Sequence, residues 1–213
     1  MTASLPTVFV VDDDAPVRKS LMRLLKSAGY RTESFSSADE FLDGWKANPV
    51  PGCVLLDIMM PGLDGLQLQQ ALRASALEIP IIFITGHGDI PLSVKAIKAG
   101  AIDFFPKPID DQKLLRAVDE ALQRDALVRT ERAARDIVSY RYATLTPRER
   151  EVLALVVRGM LNKQIASALG ASEKTIKIHR GRVMEKMKVN SVADLVRAAE
   201  TIGLGPDTAL SPS

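Results

Sequence analysis

The chain is short of cysteine, histidine and aromatic residues: one Cys, two His, and 5% Phe, Trp and Tyr. Each scarcity removes a class of protein. The single Cys53 cannot close an internal disulfide, and no Cys/His cluster offers a zinc site. Cys53 opens an apolar run, so it reads as a buried structural thiol. No apolar run reaches the length of a membrane span, so no membrane partner is expected. Residues 1–6 hold no basic stretch followed by an apolar one. No signal peptide is therefore expected, and the expected compartment is cytoplasmic. No glycine-rich loop of Walker or dinucleotide type occurs, which argues against a bound nucleotide.

Apolar residues make up 46% of 213, enough for aliphatic cores in one large or two modest domains. The formal net charge of +2 conceals an asymmetry. Residues 1–120 carry 12 Lys+Arg against 16 Asp+Glu, a net of −4, and residues 121–213 carry 16 against 10, a net of +6. This suggests two domains with different partners, the second meeting a polyanion, although scattered surface charge gives the same totals.

In the acidic half, Val8-Phe9-Val10-Val11 reads as a buried parallel strand. It ends in Asp12-Asp13-Asp14, whose mutual repulsion calls for a cation or solvent. Val17, Leu21, Leu24, Leu25 and Ala28 then recur at helical spacing up to Gly29. Residues 31–35 suit a second strand. Ser36 or Ser37 caps a helix bearing Phe41, Leu42 and Trp45, with Asp39 or Glu40 closing a capping box, and Asn48-Pro49 ends it. A third strand over residues 53–56 ends at Asp57, and a helix follows from about 64 to 74. A fourth strand over 80–84 ends in Thr85-Gly86-His87-Gly88, after which Asp89 caps a helix. A fifth over 103–105 ends in Pro106-Lys107-Pro108, before a helix with Leu114, Leu115, Val118 and Leu122.

Five strand-then-helix units predict a doubly wound parallel sheet. Asp12, Asp13, Asp57, Thr85 and Lys107 then all follow C-terminal strand ends, where open α/β sheets place their ligands. Taken alone, Asp57 before its Pro/Gly turn is a turn residue. With the other four it becomes a nucleophile toward phosphorus. Three carboxylates suit Mg²⁺, which takes few protein ligands and leaves room for a phosphate. Thr85 and Lys107 supply a hydroxyl and a positive charge for phosphoryl oxygens.

Residues 7–122 or so resemble a two-component receiver domain, through Val11-Asp12-Asp13, Asp57-x-x-x-Pro61-x-x-Asp64-Gly65, Thr85-Gly86 and Lys107-Pro108. The resemblance implies a flavodoxin-like fold and an Asp57 that accepts phosphate from a histidine kinase. It implies Mg²⁺ held by Asp12, Asp13, Asp57 and the Met59 carbonyl, and a switch pair of Thr85 and Phe104. Phe104 is also readable as a core aromatic. Phosphoryl lifetime in the family varies with the residues two beyond the acceptor and two beyond the threonine, here Met59 and His87. His87 reads as an exposed loop residue or as a catalytic acid. Asp14 reads as solvated only.

Residues 119–140 are rich in Arg, Ala and acids, with opposite charges three or four apart, as in an exposed helix. A frayed segment is the alternative. Beyond them, Thr146-Pro147-Arg148-Glu149 is a capping box opening a helix with Val152, Leu153, Leu155, Val156 and Val157. A short helix from Asn162 carries Ile165, Ala166 and Leu169. Gly170-Ala171-Ser172 makes a turn, and a longer helix with Ile176, Val183 and Met187 follows. Ser191-x-x-Asp194 caps a last helix. This is a helix-turn-helix pattern. Residues 158–188 hold 8 Lys+Arg and 2 Glu, a net of +6. Lys174, Lys177, His179, Arg180 and Arg182 are available to phosphates or base edges, although a basic helix can also be a solvated face and His179 can pack internally.

This half resembles the LuxR-type helix-turn-helix domain, through Leu145-Thr146-x-Arg148-Glu149-x-Glu151-Val152-Leu153, Asn162-Lys163-x-Ile165-Ala166, Ser172-x-x-Thr175-Ile176-Lys177-x-His179 and Lys186-Met187. Both halves in this order resemble the FixJ branch of the NarL/FixJ response regulators over about residues 7–203. That implies Lys174, Thr175, Lys177, Ile178 and Arg180 on a recognition helix, Asn162 and Lys163 on DNA backbone phosphate, and a dimer surface around residues 192–197. The expected domains are a receiver over 1–122, a helical linker over 123–142, a helix-turn-helix domain over 143–205 and a flexible tail over 206–213. The expected fold is an α/β five-stranded parallel sheet followed by an all-α domain.

The expected function is a response regulator whose phosphorylation on Asp57 controls dimerisation and promoter binding. Its expected partners are a sensor histidine kinase, promoter DNA, a second copy and RNA polymerase, and its only turnover a slow self-dephosphorylation. Two other classes stay open at this point. An aspartate-based, Mg²⁺-dependent phosphatase would need a general acid where Met59 stands. A phosphorylation-independent DNA-binding regulator would have no need of the complete Asp/Asp/Asp/Thr/Lys set.

Overall fold

The structure is a computed structural model that describes residues 5–47, 49–75, 79–86 and 90–205. The chain divides into two compact units, Met1–Arg129 and Thr130–Ser213.

In the first unit, β1 (Thr7–Val11), β2 (Arg31–Phe35), β3 (Gly52–Asp57), β4 (Ile81–Thr85) and β5 (Asp103–Pro106) form one parallel sheet in the order β2-β1-β3-β4-β5. Helices α1 (Ala15–Ser27), α2 (Ala38–Ala47), α3 (Gly65–Ala74), α4 (Ile90–Lys98) and α5 (Asp111–Ala143) alternate with the strands. Side chains along a strand alternate between faces. Val8 and Val10 of β1, Cys53 and Leu55 of β3, and Ile82 and Ile84 of β4 therefore meet Leu21 and Leu25 of α1 and Leu114 and Val118 of α5. Their neighbours Phe9, Val54, Leu56 and Phe83 meet Phe41 and Trp45 of α2 and Leu68 and Leu72 of α3. Burial on both faces is why these strands read as unbroken apolar runs. The edge strand β2, RTESF, shows charge to solvent instead, which blunts edge-to-edge pairing.

Hydrogen bonds at helix starts settle several expectations. Ser37 caps α2, its Oγ accepting from Glu40 N–H at 3.2 Å, while the Glu40 carboxylate accepts from Ser36 N–H at 2.8 Å. Asp64 and Gln67 form a reciprocal box at α3. Asp14 is exposed, as a solvated residue should be, but it also caps α1 by accepting from Val17 N–H at 3.2 Å. Asn48, His87, Gly88, Asp89 and the tail 206–213 lie outside the described residues.

The charged stretch after residue 119 is helical, and α5 continues to Ala143, with the division between units falling inside it. One part of it departs from the exposed-helix reading. Asp125 is 4% exposed. It accepts from Gly52 N–H at 2.9 Å and from Arg129 Nε at 2.7 Å, and Arg129 donates to the Val50 carbonyl at 3.0 Å. The carboxylate satisfies the first N–H of β3. In sequence it is indistinguishable from an ordinary surface i,i+4 pair.

The second unit packs α6 (Pro147–Val157), α7 (Asn162–Ala168), α8 (Glu173–Met187) and α9 (Val192–Thr201) around Val152, Leu153, Ile165, Ile176, Val183, Met187 and Leu195. Thr146 and Glu149 form the expected capping box. Glu149 also has a second role. It is 2% exposed, and its Oε2 accepts from Lys186 Nζ of α8 at 2.6 Å. Burial raises the Glu149 pKa, but Lys186 and the Thr146 hydrogen bonds outweigh it and hold the carboxyl below its ordinary range. A pKa depressed on folding adds stability above the unfolded value and loses it as pH falls through the folded one. Glu149→Gln is therefore expected to lower the unfolding free energy of this unit by about 2 kcal/mol at pH 7. The gap from wild type should shrink on acidification below the carboxylate range, which urea melts at several pH values would measure.

Candidate functional site

The sheet order places β1 and β3 side by side, so the carboxylates that follow them are neighbours. Asp57 is the last residue of β3, Thr85 the last of β4, Asp12 follows β1 and Lys107 follows β5. Lys107 Nζ lies 2.8 Å from Asp12 Oδ2 and 3.2 Å from Asp57 Oδ2. Asp12 is 1% exposed, Asp57 7% and Thr85 0%, while Asp13 is exposed. One carboxylate oxygen from each of Asp12, Asp13 and Asp57 lies within 4.8 Å of the others. The five residues singled out by strand-end position thus fall on one sheet edge, and four of them line one acidic niche.

Neighbouring backbone holds the niche. Asp12 Oδ1 accepts from Asp14 N–H at 2.8 Å, and Arg18 of α1 donates to the Asp12 carbonyl at 2.6 Å. Lys107 N–H donates to the Thr85 carbonyl at 2.7 Å, fixing where the lysine stem leaves β5. Gly65 allows the loop after Asp57 to fold back. Its N–H donates to the Ile58 carbonyl at 3.0 Å, and a Cβ there would stand 2.4 Å from the Asp57 carbonyl oxygen. Arg18 escaped the sequence reading, because a lysine or arginine one turn into a helix is commonplace. Only its contact with the Asp12 backbone marks it.

Electrostatics divides the roles. Burial pushes the Asp57 carboxyl above its usual range. Lys107 pulls it down, and the Asp12 charge pushes it up again. Burial opposes the charge on Lys107, yet the Asp12 hydrogen bond and the Asp57 charge raise its pKa above the ordinary value. One ammonium therefore serves two carboxylates. The Met59 N–H lies 3.4 Å from Asp57 Oδ1, and the Met59 side chain is 60% exposed beside the niche. Phe104 is half-buried, packs on the core and pairs with Phe83 across β4–β5.

The second candidate site is the α7–turn–α8 surface. Lys163, Lys174, Thr175, Lys177, Ile178 and Arg182 are exposed. Ser172 caps α8 by accepting from Thr175 N–H at 3.1 Å. Arg180 is half-buried, and its Nη1 donates to Asn162 Oδ1 at 2.9 Å, tying α8 to α7. Arg180 and Asn162 were both expected on DNA, and part of the polar capacity of each is spent on the other. His179 is half-buried, with Nδ1 lacking a partner among the described residues. Arg148 of the capping-box motif donates to the Leu169 carbonyl at the end of α7. That carbonyl would otherwise be one of the unsatisfied groups at a helix C-terminus.

Comparison with known proteins matches residues 8–119 to the response regulator receiver domain and residues 143–199 to the luxR family of bacterial regulatory proteins. Nodulation protein W of Bradyrhizobium diazoefficiens is 48% identical over 92% of this chain and 86% of its own. The transcriptional regulatory protein FixJ of Azorhizobium caulinodans is 44% identical over the whole of both chains. Among solved structures, the response regulator StyR superposes with a TM-score of 0.81 at 48% identity, covering 92% of this chain and 99% of its own.

Lys107→Met removes a cation that lowers the Asp57 pKa and leaves two facing carboxylates. The Asp57 titration midpoint, followed by carboxyl-carbon NMR, is expected to move further upward. An unchanged midpoint would show that Lys107 does not govern the niche.

Proposed function

Because the chain belongs to the two-component response regulators that join a receiver domain to a luxR-family DNA-binding domain, we propose that phosphorylation of Asp57 controls its binding to promoter DNA. The family is one of transcription regulators rather than enzymes, and it implies a histidine kinase and DNA as partners. The observation that supports Asp57 is the lysine bridge. A buried carboxylate at a strand end shares one ammonium with a second carboxylate, beside a third.

In the proposed transfer, an Asp57 carboxylate oxygen attacks the phosphorus of a phosphohistidine. The new O–P bond forms as the N–P bond breaks, and the imidazole leaves with the electron pair. Lys107, already 3.2 Å from Asp57 Oδ2, stands ready to neutralise the incoming oxygens. The all-oxygen donor set fits a hard divalent cation. Asp12, Asp13 and Asp57, with the Met59 carbonyl, would hold Mg²⁺, which when bound would shield phosphoryl charge from the attacking carboxylate. Met59 has no proton to give or take and cannot itself activate water near the acyl phosphate, which accords with a slow self-dephosphorylation.

The Thr85 hydroxyl then turns toward the phosphoryl group and Phe104 turns inward, a population shift biased by phosphate contacts. Receiver dimerisation follows. Two linked second domains, meeting at residues 192–197, bind a two-half-site promoter with avidity and engage RNA polymerase in the cytoplasm. Lys163, Lys174, Lys177 and the Asn162 amide meet phosphates, and Thr175, Ile178 and Arg180 complete the reading surface.

Asp57→Asn is expected to abolish labelling by acetyl phosphate with Mg²⁺ and to leave DNA binding at its unphosphorylated level. Full labelling of this variant, read by intact-protein mass spectrometry, would sink the assignment. Lys174→Ala is expected to weaken binding evenly across sequences and to reduce the salt slope of log K by about 1. An unchanged slope in fluorescence anisotropy titrations would remove Lys174 from the phosphate contacts.

A further inference from the structure

Gly181 sits in the middle of α8, where glycine is a poor choice. It loses more conformational freedom on folding than any other residue and weakens a helix relative to alanine. Neither of the usual structural reasons applies. It is absent from the glycines with positive φ, and a Cβ built on it would meet nothing within 4 Å. The folded chain has room for a side chain at 181 and a backbone that any residue can adopt.

Its place on the helix is informative. Ile176, Val183 and Met187 are buried and define the inner face of α8. At 3.6 residues per turn, Gly181 lies opposite them, on the exposed stripe of Lys174, Ile178 and Glu185. Ile178, one turn before it, leaves 49% of its surface open. Lys174 and Lys177 precede the pair and Glu185 follows it. The stripe thus runs from cationic, through apolar and bare, to anionic, as suits a helix that enters a polyanion's groove by its N-terminal half. Arg180, whose guanidinium is turned to Asn162, leaves this stripe uncrowded.

The geometry points to Gly181 as the position where the backbone of α8 approaches double-stranded DNA most closely, the missing side chain making room for the groove wall. This rests on the proposal that α8 enters DNA. It adds a residue chosen for what it lacks, at a cost in helix stability that close approach of a bound partner would offset.

The test uses the full chain, phosphorylated with acetyl phosphate, and a duplex that the wild-type protein selects from a randomised pool. Gly181→Ala and Gly181→Gln are both expected to raise the melting temperature of the second unit, by on the order of 4 °C. Both should weaken binding to that duplex, about tenfold for alanine and more for glutamine. Loss of binding in a more stable protein cannot come from misfolding. Wild-type affinity in both variants would overturn the inference, as would a lowered melting temperature, which would return Gly181 to the fold. Equal losses for the two side chains would overturn it too, because helix stiffening would then be the cause rather than contact. If the wild-type chain selects no duplex, the DNA-binding reading itself falls and this inference falls with it.

Discussion

Two buried carboxylates facing one ammonium are the constraint on which the first unit depends. Asp12 and Asp57 carry like charge, and burial disfavours the charge on Asp57. Lys107 Nζ, within 3.2 Å of both, makes the arrangement tolerable without removing the strain on it. Three strands must end in register to deliver these groups, and the lysine stem must leave β5 beside Thr85. The fully apolar β1, β3 and β4 supply a scaffold stiff enough to hold like charges together. The niche remains short of positive charge, with an exposed third carboxylate beside it. A cation or a phosphoryl group that engages Lys107 therefore changes the balance of the whole edge.

The second unit answers a different demand. Its helices are short, and its stability comes from one aliphatic core joined by a few buried polar ties. Glu149 caps α6 and also pairs with Lys186 of α8, so one carboxylate sets both the start of a helix and the placement of another. Arg148 on the last carbonyl of α7, and Arg180 on Asn162, fix α7 against α8 in the same way. These ties leave Lys163, Lys174 and Lys177 free to face outward. Arg180 keeps the rest of its guanidinium for another partner, since only one of its N–H groups is shown on Asn162.

Most of this architecture was legible in the residues, for identifiable reasons. Two-sided burial writes itself as continuous apolar runs, which is why β1, β3 and β4 were plain. Helix starts carry side-chain signatures, which is why Thr146 and Ser191 could be named as caps and the cap of α2 narrowed to Ser36 or Ser37. Strand-end position alone gathered Asp12, Asp13, Asp57, Thr85 and Lys107. What stayed hidden were roles set by a partner far along the chain. Asp125 looks like half of a surface ion pair until the N–H of Gly52 is brought to it. Arg18 is unremarked until the backbone of Asp12 lies beside it.

The sequence by itself determined the alternation of elements, the two-domain plan, the acidic edge and the basic helix. All of these follow from periodicity and from where charge falls along the chain, and such patterns are local. Tertiary structure decided which polar group meets which: Lys107 between Asp12 and Asp57, Lys186 on Glu149, Arg180 on Asn162, and Gly52 N–H on Asp125. Coulomb interactions and hydrogen bonds act over a few ångströms of space, while the partners stand 18 to 95 residues apart in the chain. Only the folded sheet and the packed helices convert one kind of separation into the other.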